Sequence, residues 1–263
     1  MVAKTKEDTT WETLAHELAA WAESGRTATF WWRDDDAAAP TAALKRLLRL
    51  ATLEDVPLAL AVIPAKLRAG MDVLVGAAPT VRVVQHGYAH VNHGSKNNRL
   101  GARELCCERG REILLEELLA GQRILGATFP GRLAPILVPP WNRIDGRITA
   151  ELPGIGYRGL STYGARLSPM PVPGLIQVNA HCDPIKWKRG RCFAGLSTCL
   201  DALVAHLKVN RQGPADSVEP TGLLTHHLDL DEEAWAFTAG LIRRIGEHPA
   251  ATFAAVDQFL PTE

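Results

Sequence analysis

Three short clusters in this chain have residue types and spacings suited to chemistry. They are Arg33-Asp34-Asp35-Asp36, His86-Gly87-Tyr88-Ala89-His90 and Thr225-His226-His227. The first offers adjacent carboxylates, which repel one another until a cation relieves them. The second offers two imidazoles four residues apart, a spacing that on a helical turn puts both rings on one face, able to chelate one ion. His93, three residues further on, is a third imidazole able to bind the ion or hold a ligand in place, with Asn92 beside it. The third offers an imidazole far along the chain, able to act as an acid. Together these are the parts of a mononuclear metal hydrolase. Each part also has a plainer reading. The acidic run alone fits a solvated turn with a helix cap, and a lone histidine is more often a structural hydrogen-bonder.

Each cluster stands at the end of a run that reads as a buried strand. Thr27 to Trp32 leads into the carboxylates, Val81 to Gln85 into His86, and Gly222 to Thr225 into His226. Four more runs read as strands: 57–63, 134–138, 157–162 and 175–179. Helical patterns lie between them over 40–53, 104–125, 196–209 and from Asp231 to about residue 245, with a first helix capped by Thr9 or Thr10. The stretch 252–260 is ambiguous, and 208–221 reads as a surface loop. Strands alternating with helices predict a mostly parallel sheet covered on both faces. About seven strands fit an α/β fold of the distorted (β/α) barrel type, with polar strand ends forming its active face.

Alternation along a strand sends neighbours to opposite sides, so Asp34, Asp35 and Asp36 cannot all face one site. The sequence leaves open which is the ligand and which the base. Arg33 is a natural ion-pair partner for any of them. Composition narrows the partners. The chain has 263 residues, 46% of them hydrophobic, and Lys+Arg 29 equals Asp+Glu 29. A neutral chain without a basic block has no footprint for nucleic acid or an anionic membrane. No secretory segment or membrane span is evident, so a cytoplasmic location is expected. Five cysteines without a C-x-x-C pair predict reduced, mostly buried thiols.

The order and spacing of these clusters resemble the polysaccharide deacetylase superfamily, carbohydrate esterase family 4. Its Thr-Phe-Asp-Asp-Gly motif is similar to 33–37, its His-x-x-x-His motif to 86–90, and its Leu-x-His motif to 224–226. The resemblance implies a single catalytic barrel domain over 1–263, hydrolysing the amide of an N-acetylated sugar or glycan. It implies Asp35 as base, Asp36, His86 and His90 as metal ligands, and His226 as acid. The family's third motif resembles Val138-Pro139-Pro140-Trp141-Asn142, which implies an oxyanion contact from the Trp141 N–H. Asp183 and Trp187 are similar to its fourth motif, near the pocket. Zinc suits an Asp-His-His set; cobalt, nickel or manganese also fit.

Three departures mark a divergent member, one of them the extra Asp34, which leaves the register of the acidic motif open by one residue. Val138 stands where many members have an arginine that buttresses the base, leaving Arg33 or Arg143 to replace it, and Ala37 replaces a glycine. The loop residues Pro140 and Asn142 also read as rigid barrel cover, and Trp187 equally as a sugar platform or a rim cover. His227 adjoins the acid. A small cytosolic amide or ureide is an alternative substrate. A barrel that keeps metal but only binds a glycan is the non-catalytic alternative.

Overall fold

A computed structural model describes residues 6–94, 101–214 and 219–260, apart from the side chains of 6–9, 107 and 189. The Thr9 cap, the Cys107 thiol, the first five residues and part of the 208–221 loop lie outside this description. In chain order the elements are α1 (Lys6–Glu23), β1 (Ala28–Ala37), α2 (Ala42–Leu53), β2 (Leu58–Val62), α3 (Met71–Gly76), β3 (Val81–His86), α4 (Arg111–Thr128), β4 (Leu133–Val138), α5 (Gly146–Thr149), β5 (Gly159–Leu160), β6 (Ile176–Gln177), β7 (Ile185–Lys186), β8 (Cys192–Phe193), α6 (Leu196–Gln212), β9 (Thr221–Thr225), α7 (Glu232–Gly246) and β10 (Ala251–Phe253).

The strands pair in parallel in the order β1-β2-β3-β4-β5-β6, and β9 lies along the other edge of β1. A bridge between Cys182 and Leu223 joins the chain after β6 to β9 and closes the ring. Seven parallel strands therefore form a distorted barrel, as expected. β10 adds to the first residues of β1, pairing Ala28 with Ala251 and Phe30 with Phe253. The ambiguous stretch thus resolves into this strand and a 3-10 turn over Val256–Phe259.

Strand alternation builds two layers. Trp31, Ala59, Ala61, Val84, Ile136 and Val178 belong to one buried cluster that fills the barrel, with Val256. The opposite faces pack beneath α1, α2, α6 and α7 in one cluster and beneath α4 and α5 in another. β2 is buried at all five positions, as a parallel strand covered on both faces must be. In α2, Leu44, Leu47, Leu48 and Ala51 are the buried stripe. Its cap is the Thr41 side chain, accepting from the Leu44 N–H at 3.1 Å. Asp231 caps α7 through the Ala234 N–H, as expected, and its other oxygen accepts from the Phe193 N–H in β8.

Three boundaries differ from the sequence reading. β1 runs on through the acidic cluster to Ala37 instead of stopping at Trp32. The long helix starts at Arg111, which frees Glu104 for another task. α1 begins at Lys6, ahead of the expected threonine caps. No helix among the described residues is long and apolar enough to cross a membrane.

Candidate metal centre and active site

Extending β1 decides how the carboxylates divide. Trp31, Arg33 and Asp35 share the barrel face, while Asp34 points the other way. Arg33 is fully buried and grips Asp35 with two contacts, Nε to Oδ1 at 2.9 Å and Nη2 to Oδ2 at 3.1 Å. Its remaining donors reach Ser161 Oγ at 2.6 Å, Asn142 Oδ1 at 2.6 Å and the Thr162 carbonyl at 3.2 Å. Of the two arginines expected to make up for Val138, Arg33 is the one in contact with Asp35. Arg143 lines the cavity and donates to the Ala102 carbonyl at 3.0 Å. Asp34 lies outside the cavity. It accepts from Thr225 Oγ1 at 2.7 Å and the His227 N–H at 3.0 Å, and pairs with His227 Nδ1 at 2.5 Å. Burial pushes the His227 pKa down, but Asp34 outweighs this and leaves it raised. Asp34 and His227 therefore brace the end of β9 from behind.

Asp36 breaks the alternation. Its φ of 69° is left-handed and turns its carboxylate into the cavity. Its Oδ1 is buried without a hydrogen-bond donor in line. Instead, His86 Nε2 and His90 Nε2 stand 3.2 and 3.1 Å away. Donor atoms about 2.0–2.1 Å from one tetrahedral ion lie about 3.3 Å from each other, close to these separations. His86 Nδ1 lies 3.0 Å from the Val138 carbonyl. A carbonyl only accepts, so that nitrogen carries the proton and Nε2 keeps its lone pair. The rings are 5.1 Å apart and tilted by 48°, so their lone pairs converge. Asp36, His86 and His90 thus fit a divalent ion. Burial alone would raise the Asp36 pKa, but the imidazoles of His86, His90 and His226 hold it well below the usual carboxylate range. Burial likewise opposes charge on His86, yet Asp35 and Asp36 raise its pKa. His90 is lowered, first by burial and then by His86.

The histidine pair is not on a helix, contrary to the geometry expected. His86 ends β3, and Gly87 and His90 both have positive φ, at 54° and 52°. The turn is held by Glu104, whose oxygens accept from the Tyr88 N–H at 3.0 Å and the Ala89 N–H at 2.7 Å. Gly87 has no room for a side chain: a Cβ there would lie 2.0 Å from Glu104 Oε2 and 2.5 Å from Pro140 Cδ. Pro140 is thus a buried wall under the turn. Asn92 and His93 do not join the group. Asn92 Oδ1 accepts from the Gly94 and Arg103 N–H groups at 2.9 and 3.0 Å, and the His93 side chain is exposed.

On the far side, Asp183 Oδ2 accepts from Trp187 Nε1 at 2.7 Å and stands 3.7 Å from His226 Nδ1. Burial raises the Asp183 pKa, against the pull of His226. Trp187 meets the His226 ring edge-on at 4.7 Å, and Trp141 meets His90 at 4.3 Å. A cavity of about 700 Å³ joins all these groups. Asp35, Asp36, His86, His90, Trp141, Asn142, Arg143, Asp183, Trp187 and His226 line it, as do four residues the sequence reading missed: Tyr163, Ile185, Arg191 and Asp229. Arg191 pairs with Asp229 at 2.9 Å and lies over the Trp187 ring. The short β7–β8 hairpin that carries Trp187 and Arg191 left no alternating pattern to find.

Backbone strain gathers here as well. Six described non-glycine residues have positive φ, and five of them line the cavity: Asp36, His90, Trp141, Asn142 and Arg191. Such conformations cost on the order of 1–3 kcal/mol each and persist where surrounding contacts impose them.

Solved structures share this architecture. A protein from Mycobacterium smegmatis described as a polysaccharide deacetylase aligns over 89% of each chain at 15% identity, with a TM-score of 0.64. The chain has the polysaccharide deacetylase fold. A carbohydrate esterase family 4 enzyme from Streptococcus mutans aligns over 91% of this chain and 90% of its own, at 13% identity and a TM-score of 0.56. A family 4 pseudoenzyme from Bacillus anthracis aligns over 90% of this chain and 66% of its own, at 15% identity and a TM-score of 0.54. No protein-family model matches the sequence, and no curated protein does. The deacetylase fold thus accommodates both active and inactive members, so chemistry must be argued from the site.

Proposed function

We propose that this protein is a metal-dependent hydrolase of carbon–nitrogen bonds that removes an acetyl group from an N-acetylated sugar or glycan. One observation carries the reading: Asp36, His86 and His90 converge in the cavity that also holds an arginine-gripped carboxylate and an imidazole beside a second carboxylate. Asp36, His86 and His90 would hold the ion, zinc being the best match to this donor set and cobalt, nickel or manganese the alternatives. A divalent ion there supplies Lewis-acid polarisation of the acyl oxygen and acidifies water at the site.

The protein's own groups do the rest. Asp35, fixed in direction by the Arg33 fork, accepts the proton of the attacking water. The Trp141 N–H, on its left-handed backbone, is assigned to the developing oxyanion. His226 delivers a proton to the departing amine, because an amine anion is too poor a leaving group. Asp183 Oδ2 lies 3.7 Å from His226 Nδ1, beyond hydrogen-bond reach, and Trp187 packs edge-on against the ring. Trp187 and Tyr163 offer flat walls for a sugar ring. The cavity volume, about 700 Å³, is also of a size for a small amide or ureide. Both Asp35 and His226 lie in the cavity, which favours catalysis over a binding role alone. The test is elemental analysis of the purified protein, followed by acetate release from a panel of N-acetylated sugars and small amides. Release from an acetylated sugar is expected. A fully metallated protein that releases acetate from none of them would contradict the proposal.

A further inference from the structure

A second carboxylate–bis-histidine cluster lies outside the cavity. His181 Nε2 and His206 Nε2 stand 3.3 and 3.6 Å from Glu219 Oε2, and all three residues are buried. Donor types and distances invite a second metal ion, but the rings refuse it. They stack face to face, with centroids 3.4 Å apart and planes only 22° apart. Their lone pairs run side by side, so one ion would sit out of plane for at least one ring. The other nitrogens are also spoken for. His181 Nδ1 accepts from the Gly222 N–H at 2.9 Å, so a neutral His181 carries its proton on Nε2, beside Glu219 Oε2 but out of hydrogen-bonding line. His206 Nδ1 faces Thr221 Oγ1 at 3.0 Å and Asn210 Nδ2 at 3.3 Å. The Asn210 amide is oriented as a donor, because its Nδ2 also donates to the Glu219 carbonyl at 2.7 Å.

The cluster sits at the seam of the barrel with the fewest paired residues among those described. β1 and β9 pair through five residue pairs, and so do β2 and β3. The junction between the chain after β6 and β9 has the lone Cys182–Leu223 bridge. There the His181 and Cys182 N–H groups both donate to the Gly222 carbonyl, at 2.7 and 3.1 Å, an irregularity that leaves the ladder short. Glu219 supplies what is missing. Its Oε1 accepts from the Asn179 N–H at 3.0 Å and its Oε2 from the Arg166 N–H at 2.9 Å. The strands approach closely here: a Cβ on Gly222 would lie 2.5 Å from the Asn179 carbonyl oxygen. One side of this seam ends in Asp183, two residues after His181. The other ends in His226, one residue after β9. The register of the seam therefore sets the Asp183–His226 separation.

We infer that Glu219, His181 and His206 are positioning residues: a metal-free clasp that fixes the seam and so holds the proton donor His226 against Asp183. This inference rests on the proposed deacetylase reaction. Misplacing a proton donor slows substrates whose leaving group needs a proton and spares those whose leaving group does not. Wild type, Glu219→Gln and His206→Gln are assayed on an N-acetylated amide and on para-nitrophenyl acetate, with metal content measured for each. In the variants, kcat on the amide is expected to fall roughly 10- to 100-fold with KM within about twofold, and the aryl ester rate to stay within about threefold. Equal losses on both substrates, or an unchanged amide kcat, would overturn the inference. So would a second metal equivalent in wild type that Glu219→Gln removes. His206→Gln carries the test if Glu219→Gln does not fold. A wild type inactive on every amide removes the deacetylase reading instead. The clasp is then judged by the crystal structure of a variant, where an Asp183–His226 separation still at 3.7 Å overturns it and a displaced His226 supports it.

Discussion

The two carboxylate–bis-histidine clusters of this barrel contain nearly the same atoms arranged for different ends. At Asp36 the imidazoles are 5.1 Å apart and splayed by 48°, and His86 turns its protonated nitrogen to a carbonyl. At Glu219 the imidazoles are stacked at 3.4 Å, and His181 turns its unprotonated nitrogen to a backbone N–H. What faces the far nitrogen of each ring decides whether the near one is a free lone pair or a proton. Donor types and short distances describe both clusters equally well. Ring direction and the partner behind each ring separate them.

The largest expected effect breaks the first cluster. Asp36→Ala or His90→Ala should lose the metal and lower kcat/KM on the order of a thousandfold or more, since a metal contributes several kcal/mol of transition-state stabilisation. Retained activity in metal-depleted Asp36→Ala would remove the ion from the account. Next comes the support of the base. Arg33→Met leaves Asp35 buried without its partner, and a broken buried pair costs about 3–5 kcal/mol. Urea unfolding measures this, and a loss below about 1 kcal/mol would show that Arg33 is dispensable. Third, His226→Ala should lower amide turnover on the order of 100-fold while metal content stays unchanged. Turnover equal to wild type would deny His226 its role.

The smallest effect sharpens the second cluster. Burial pushes the Glu219 carboxyl up, but contacts from His181, His206 and the Arg166 N–H outweigh it and hold the pKa at about 2, against 4.5 for an ordinary glutamate. A carboxylate whose folded pKa is depressed stabilises the fold above its unfolded pKa, and that contribution fades as pH falls toward the folded value. The Tm advantage of wild type over Glu219→Gln should therefore be full at neutral pH and shrink between about pH 4.5 and about pH 2. An advantage constant across that range would mean that Glu219 acts without its charge.

Much of the first cluster could be read along the chain, because apolar runs ending in Asp and His announce strands that deliver side chains to a barrel mouth. Asp36, His86, His90, Asp35 and His226 all reach one cavity. The helical turn expected for His86 and His90 failed because Gly87 and His90 take left-handed φ, a choice imposed by Glu104 and Pro140. Glu104 escaped notice because an acidic residue at the head of a long helical pattern reads as a helix start. Arg33 was legible as a partner for the carboxylates, but that it grips Asp35 followed only once β1 ran through the acidic cluster and put residues 31, 33 and 35 on one face. The second cluster left no local signal. His181, His206 and Glu219 come from the chain after β6, from α6 and from the chain before β9, and only the closing of the barrel brings them together.

The most direct test of the central claim is the metal content of purified wild-type, Asp36→Ala and Glu219→Gln protein prepared in parallel. The account predicts one equivalent of a divalent ion in wild type and in Glu219→Gln, and close to none in Asp36→Ala. A full equivalent in Asp36→Ala, or its loss only in Glu219→Gln, would place the ion in the other cluster and contradict the account.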